Sequence, residues 1–140
     1  MSRFTPQEIE YLKSQRLGRM ATLAQDGDLH VVPVGFRYNA DVDTIDIGGH
    51  DIVPTKKYRD AIHYGRMAFV VDDVLPPRGP RFVEVRGTVE AVSEGGKAIS
   101  QGFSPAILRL TPTYIVSMGI NEEFVRPGEG TVRFSGRKVE

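Results

Sequence analysis

The chain has 140 residues, of which 40% are hydrophobic, and its 18 basic and 18 acidic residues give a formal net charge of zero. This length suits one domain with its own core, and the balanced charge argues against a general nucleic-acid binder. The chain has no cysteine, which excludes disulfides and thiolate metal sites, and its three histidines lack metal-ligand spacing. No apolar run is long enough to cross a membrane, and the N-terminus lacks the apolar region of a secretory signal. We therefore expect a single cytoplasmic domain over residues 1–140, without a metal or a membrane partner.

The first predicted element is a helix that begins at Thr5-Pro6-Gln7-Glu8. This sequence is a capping box with proline at the first helical position. Ile9 and Leu12 begin its apolar stripe, and Gly18 is the expected end.

The hydrophobic period then changes to two, which predicts strands over residues 19–25, 30–38 and 44–48. Asp26-Gly27 is a hairpin turn signal between the first two. In the second strand, alternation places Pro33, Gly35 and Arg37 on one face; the other face carries Val32, Val34, Phe36 and Tyr38. Proline donates no hydrogen bond, so the nitrogen of Pro33 should face a sheet edge, a bulge or a ligand.

A second helix is predicted from the N-cap Thr55 to the stop at Gly65. Its first turn contains Lys56 and Lys57, although the helix dipole favours acidic residues there. A bound phosphate or carboxylate would explain the two lysines, whereas the alternative is a solvated helix start. Gly48-Gly49 before the helix fits either a phosphate-approach loop or a plain turn.

The second half of the chain is predicted to be mostly strands. The Pro-rich residues 75–80 should form a loop outside the sheet, and Gly87 should mark a bulge. Pro112 should divide or kink the strand that contains it. The predicted segments are a central strand (66–72), a long strand (81–92), a loop (93–104), a kinked or divided strand (107–120), a polar connection (121–129) and a short edge strand (131–134). About six strands with two helices predict a mainly β protein, a small β-barrel.

Four segments in this order resemble the pyridoxamine 5'-phosphate oxidase-like split β-barrel superfamily, in its branch of F420 (deazaflavin)-dependent oxidoreductases. They are Arg19-Met20-Ala21-Thr22-Leu23 with Asp26-Gly27, His30-Val31-Val32-Pro33-Val34-Gly35-Phe36, Thr55-Lys56-Lys57-Tyr58-Arg59-Asp60, and Val85-Arg86-Gly87-Thr88-Val89-Glu90. Residues 115–120 match more weakly, because Met118 stands where many relatives have tryptophan.

The resemblance implies a homodimer with the cofactor at the subunit interface. It places the cofactor phosphate on Lys56 and Lys57, helped by Thr55 and the backbone of Gly49 and His50. It places the cofactor ring along the second strand, at Val32, Pro33 and Val34.

The implied activity is hydride transfer from reduced F420 to a small or medium, unsaturated organic substrate. The sequence identifies no catalytic residue; Tyr114, His50 or a water could supply a proton. The alternatives are the same fold with flavin mononucleotide (FMN), or a non-catalytic carrier of a flavin or deazaflavin. Arg86 on the long strand is predicted to pair with Glu84, Glu90 or a cross-strand neighbour rather than with a cofactor tail.

Overall fold

A computed structural model describes residues 1–77, 79–121 and 134–140. These contain three helices and seven strands. In chain order they are α1 (Pro6–Lys13), β1 (Leu17–Leu23), β2 (Leu29–Asn39), β3 (Thr44–Gly48), α2 (Lys56–Tyr64), β4 (Arg66–Leu75), β5 (Gly79–Val92), α3 (Gly96–Ile99), β6 (Ile107–Met118) and β7 (Phe134–Lys138).

Six strands form a closed antiparallel barrel. Their order is β3-β2-β1-β4-β5-β6, and pairing between β3 and β6, for example Ile45 with Leu110, closes it. The other half of β6 pairs with β7 instead. β6 thus closes the barrel with one half and adds β7 at an edge with the other half, as in a split barrel. The prediction of a mainly β protein is confirmed.

The barrel core follows the predicted alternation. On β2, Val34, Phe36 and Tyr38 are buried, while Pro33 is exposed and Gly35 and Arg37 are half-buried. The fully buried large side chains of the barrel come from facing strands and include Met20, Ile45, Ile47, Phe69, Val71, Leu108, Leu110 and Ile115. Removing this apolar area from water is the main source of stability for the barrel.

The two predicted helix starts are confirmed. Thr5 and Glu8 form the capping box, and Thr55 caps α2, which ends at Gly65 with the left-handed φ of 69° that favours glycine. The predicted end of α1 at Gly18 is wrong. The helix ends at Lys13, because Leu17 and Gly18 already pair with β2.

The predicted loop at residues 75–80 is partly strand. β4 continues to Leu75 and β5 begins at Gly79, so Val74 pairs with Pro80 in a hairpin. Proline is tolerated near the start of a strand, where a missing N–H removes little of the ladder. Arg81 also bridges the hairpin, because its Nε lies 2.7 Å from Oδ1 of Asp73.

The bulge at Gly87 is confirmed by a shift of register between Arg86 and Gly87. A side chain at Gly87 would collide with the backbone oxygen of Thr111, so glycine permits this close approach. β6 is one strand through Pro112, and α3 adds a short helix within the predicted loop. The predicted connection at 121–129 and the predicted edge strand at 131–134 lie mostly outside the described residues. The described structure continues at Phe134, the first residue of β7. Within the described ranges, no helix is long and apolar enough to span a membrane.

Candidate functional site

Two pockets meet at the start of α2. A cleft of about 800 Å³ is bordered by Pro33, Val34, Gly49, His50 and Lys57. A smaller pocket of about 250 Å³ is lined by four of the predicted residues, namely Val32, Thr55, Lys56 and Lys57. The eight residues predicted for cofactor binding therefore lie around two adjoining pockets that share Lys57.

Thr55 fixes the first turn of α2. Its hydroxyl accepts a hydrogen bond from the backbone nitrogen of Tyr58 at 3.4 Å and donates to the carbonyl of Ile52 at 2.6 Å. The first turn of the helix contains no acidic residue. The partial positive charge of this helix end is therefore not offset by a carboxylate within the turn.

Lys56 and Lys57 have different surroundings. The Nζ atom of Lys56 lies 2.9 Å from Oδ2 of Asp60, whose side chain is only 4% exposed. Lys57 is half-buried and makes no ion pair with any residue that the structure describes. Of the two lysines, Lys57 is thus the one whose charge no described carboxylate neutralises.

Pro33 lies at an open edge of the sheet, which is one of the three surroundings predicted for it. β2 pairs with β1 along this segment, but its pairing with β3 begins only at Gly35. The side chain of Pro33 is exposed at the cleft, whereas the side chain of Val34 is buried in the barrel. Of these two residues, Pro33 is therefore the one whose side chain is exposed to the cleft.

Two glycines shape the floor of the cleft. Gly35 on β2 pairs with Gly48 on β3, and the ring of Phe103 covers both. A Cβ atom would come within 2.7 Å of that ring at Gly35 and within 2.9 Å at Gly48. Ile99 of α3 packs beside the ring, so the connection between β5 and β6 supplies one wall of the cleft. The sequence interpretation missed Phe103 because it lies in a segment with no clear periodicity.

The same connection holds the loop after β3. The carbonyl of Gly49 accepts hydrogen bonds from the nitrogen of Ser104 at 2.9 Å and from its hydroxyl at 3.2 Å. The Nδ1 atom of His50 lies 3.0 Å from the carbonyl of Gly102. Because a carbonyl only accepts, Nδ1 carries the hydrogen, and Nε2 of the neutral ring is left as the acceptor.

Of the two side chains suggested as proton donors, His50 borders the cleft and Tyr114 does not. The ring of Tyr114 instead lies under the guanidinium of Arg86, 5.1 Å from its centre. Arg86 pairs with Glu84 at 2.9 Å, which confirms the predicted pairing. Among the described residues, no group of acidic, histidine or cysteine side chains could hold a metal ion.

The opposite end of the cleft carries three cations that the sequence interpretation did not assign, Lys13, Arg16 and Arg37. Arg37 could have been found from the alternation of β2, which places it on the same face as Pro33. No carboxylate is among the described residues that line the cleft. A cleft with cations at both ends and an apolar floor fits a ligand that combines an aromatic ring with anionic groups.

No protein-family model matches the chain. A 5a,11a-dehydrotetracycline/5a,11a-dehydrooxytetracycline reductase from Streptomyces rimosus is 40% identical over 120 residues, which is 84% of each chain. The structure of the FAD binding protein from Mycobacterium smegmatis has a TM-score of 0.62 at 26% identity, covering 81% of this chain and 92% of that one. An F420 reductase has a TM-score of 0.61 at 24% identity, covering 79% of this chain and 98% of that one.

The likeness to solved structures agrees with the split barrel described above, and the identity to the Streptomyces reductase extends over most of both chains. The chain is therefore an oxidoreductase of the pyridoxamine 5'-phosphate oxidase-like split β-barrel superfamily, and it belongs to the same family as the Streptomyces reductase.

Proposed function

We propose that this chain uses reduced F420 to deliver a hydride to a conjugated double bond of a polycyclic organic substrate. The observation that carries the proposal is the position of Lys57. It is a half-buried cation at a helix N-terminus, it borders both pockets, and it has no acidic partner among the described residues. A phosphate placed there gains the charge of Lys57 and the exposed N–H groups of the first turn.

In this proposal the residues around the two pockets have separate tasks. Lys57, Lys56 and Thr55 hold the cofactor phosphate, with the backbone of Gly49 and His50 beside it. Val32, Pro33 and Val34 support the ring, with Pro33 offering its side chain and the two valines the backbone of β2. The bound deazaflavin supplies the hydride, and the protein supplies orientation and an environment with little water.

His50 is the proton donor that we favour for the reduced product. Its ring borders the cleft, and the hydrogen bond from Nδ1 to the carbonyl of Gly102 holds the ring in one orientation. In the protonated ring, Nε2 is the atom left to donate. A water in the cleft is the alternative donor.

The substrate class is suggested by the Streptomyces relative, which is named for the reduction of dehydrotetracyclines. A flat substrate of this kind needs a broad apolar surface. The ring of Phe103 offers one, and it can cover Gly35 and Gly48 closely because neither glycine has a side chain. A cytoplasmic location belongs to the same proposal and is supported by the absence of cysteine.

We also propose that two copies form a homodimer through the outer face of β1, β2, β4 and β5. Val31, which is 71% exposed, and Leu29, which is 80% exposed, lie at the edge of this face beside Ala21. Contiguous exposed apolar side chains are typical of protein interfaces. Val31 also borders the small pocket that contains Lys57, so a second copy on this face would adjoin the phosphate site.

FMN or a related flavin is the alternative cofactor, supported by the FAD binding protein from Mycobacterium smegmatis. A non-catalytic carrier is the alternative role. It would bind a cofactor through the same residues and reduce no acceptor.

The test has two stages. The purified protein is first titrated with F420, FMN and FAD, and we expect F420 to bind most tightly. Oxidation of reduced F420 is then followed with dehydrotetracycline and with other conjugated polycyclic acceptors. Tight flavin binding without F420 binding would contradict the cofactor assignment, and binding of F420 without turnover of any acceptor would favour the carrier.

A further inference from the structure

The three cations at the far end of the cleft come from different elements. Lys13 is the last residue of α1, Arg16 lies in the connection between α1 and β1, and Arg37 is on the outward face of β2. A basic residue at the end of a helix is stabilised by the helix dipole, which accounts for Lys13 alone. The convergence of Arg16 and Arg37 on the same cleft has no such local cause.

The acidic residue nearest to Arg37 in the sheet is already engaged. Asp46 faces Arg37 across β2 and β3, but its two carboxylate oxygens accept from Arg109 at 3.0 and 3.2 Å. Asn39 and Thr44 each donate to Asp46 at 2.9 Å as well. Within the described part of the chain, Arg37, Arg16 and Lys13 form no ion pair.

The geometry of β2 separates these cations from the phosphate site. Lys57 lies beside the Val32 and Pro33 end of the strand, with Val32 in the same small pocket. Arg37 is four residues further along, which corresponds to about 13 Å in an extended strand. The apolar floor of Gly35, Gly48 and Phe103 lies between the two ends.

We propose that Lys13, Arg16 and Arg37 form a second anion subsite that binds an ionised acid group of the substrate, such as a carboxylate, an enolate or a phenolate. The inference rests on the proposed function and narrows the substrate to polycyclic molecules that carry an acidic group. Arg37 and Arg16 bind and orient this group, and a salt-sensitive affinity follows from their charge. An acidic tail on the cofactor is the other group that would supply such an anion. The test distinguishes the substrate from the cofactor as its source.

The test compares two probes with the same ring system, anthraquinone-2-carboxylate and its uncharged carboxamide, by calorimetric titration without any cofactor. We expect the wild-type protein to bind the carboxylate about tenfold more tightly than the carboxamide. Arg37→Gln should remove most of this preference for the carboxylate. A double variant that combines Lys13→Gln and Arg16→Gln should do the same. Lys57→Gln and the control Arg59→Gln, which alters an exposed cation on α2 away from the cleft lining, should retain it.

Equal binding of the two probes to the wild-type protein, or loss of the preference in Lys57→Gln alone, would overturn the subsite. F420 is titrated into the same variants as a separate arm. If Arg37→Gln or the double variant weakens F420 as much as it weakens the carboxylate probe, the cations serve a cofactor tail and the substrate assignment is wrong. Failure of F420 to bind wild-type protein would contradict the proposed function instead, since the probes report on the subsite without a cofactor.

Discussion

Lys56 and Asp60 form an ion pair across one turn of α2, with 2.9 Å between Nζ and Oδ2, whereas the neighbouring Lys57 has no such partner among the described residues. Two adjacent lysines of the same charge are therefore not equivalent. The charge of Lys56 is largely committed to the helix, and that of Lys57 is directed to the pockets. The difference gives Lys56 a structural role beside its proposed contact with phosphate.

Lys56→Gln should lower the free energy of unfolding by about 1–3 kcal/mol, because it leaves the carboxylate of Asp60, which is only 4% exposed, without its cation. Urea denaturation measures this change. Lys57→Gln is the matched control. It should leave the free energy of unfolding unchanged within the error of the measurement, since no described ion pair is lost. A larger loss of stability in Lys57→Gln than in Lys56→Gln would show that the assignment of the two charges is reversed.

Gly35→Ala should destabilise the protein by about 1–3 kcal/mol, because the new methyl group would lie 2.7 Å from the ring of Phe103 and would force it to move. Gly49→Ala is the control, since its Cβ would meet Ile52 at an ordinary 3.6 Å. Denaturation of Gly35→Ala, Phe103→Ala and the double variant measures the coupling. Additive effects would contradict the direct contact between the ring and the glycine.

Arg137→Ala should cost about 3 kcal/mol, because it leaves the fully buried carboxylate of Glu8 without its cation. The guanidinium of Arg137 donates to Glu8, with 3.0 Å between Nη1 and Oε2, and joins β7 to α1. Lys138→Ala, an exposed change on the same strand, should stay within about 0.5 kcal/mol of the wild-type value. Comparable losses in the two variants would contradict the role of the buried pair.

The same pair predicts a pH dependence. Burial raises the pKa of Glu8, but hydrogen bonds from Arg137 and from the backbone of Thr5 outweigh it, and the pKa is lowered overall. The unfolded chain then binds the proton more readily, so the stabilisation is complete above the ordinary glutamate pKa and is lost as the pH falls below it. Denaturation is measured at several pH values between neutral and acidic. The free energy of unfolding should fall less with pH for Arg137→Ala than for the wild-type protein. If the free energy of unfolding fell equally with pH in both proteins, Glu8 would not be the origin of the acid sensitivity.

Val31→Glu should convert the proposed homodimer to a monomer, because it places a charge in the exposed apolar face beside the small pocket. Light scattering after gel filtration measures the mass. Val42→Glu, at a position that is 47% exposed between β2 and β3, is the control and should remain dimeric. A monomeric wild-type protein would contradict the proposed interface.

Local signals predicted much of the fold. The capping box at Thr5, the N-cap at Thr55 and the alternation of β2 depend on neighbouring residues, and the structure confirms them. The end of α1 was misplaced because Gly18 is held by pairing with β2 and by packing against Phe69, which are long-range contacts. Pro80 likewise joins a strand because a hairpin partner is available.

The candidate site likewise contains residues that the local sequence indicated and residues that only long-range packing brings to the cleft. The unusual charge at the start of α2 indicated Lys56 and Lys57 from the sequence, but the pairing of Lys56 with Asp60 is seen only in the structure. Phe103 and Arg16 reach the cleft through the packing of distant segments, for which the local sequence carries no periodic signal.

The central claim is that Lys57 binds the cofactor phosphate. Titration of F420 into wild-type, Lys57→Gln and Lys56→Gln protein, at fixed ionic strength, tests it most directly. Loss of a charge-assisted hydrogen bond should weaken binding of F420 to Lys57→Gln by about 1–3 kcal/mol, with a smaller effect in Lys56→Gln, and both variants should remain folded at the temperature of the titration. Wild-type affinity for F420 in Lys57→Gln would contradict the account.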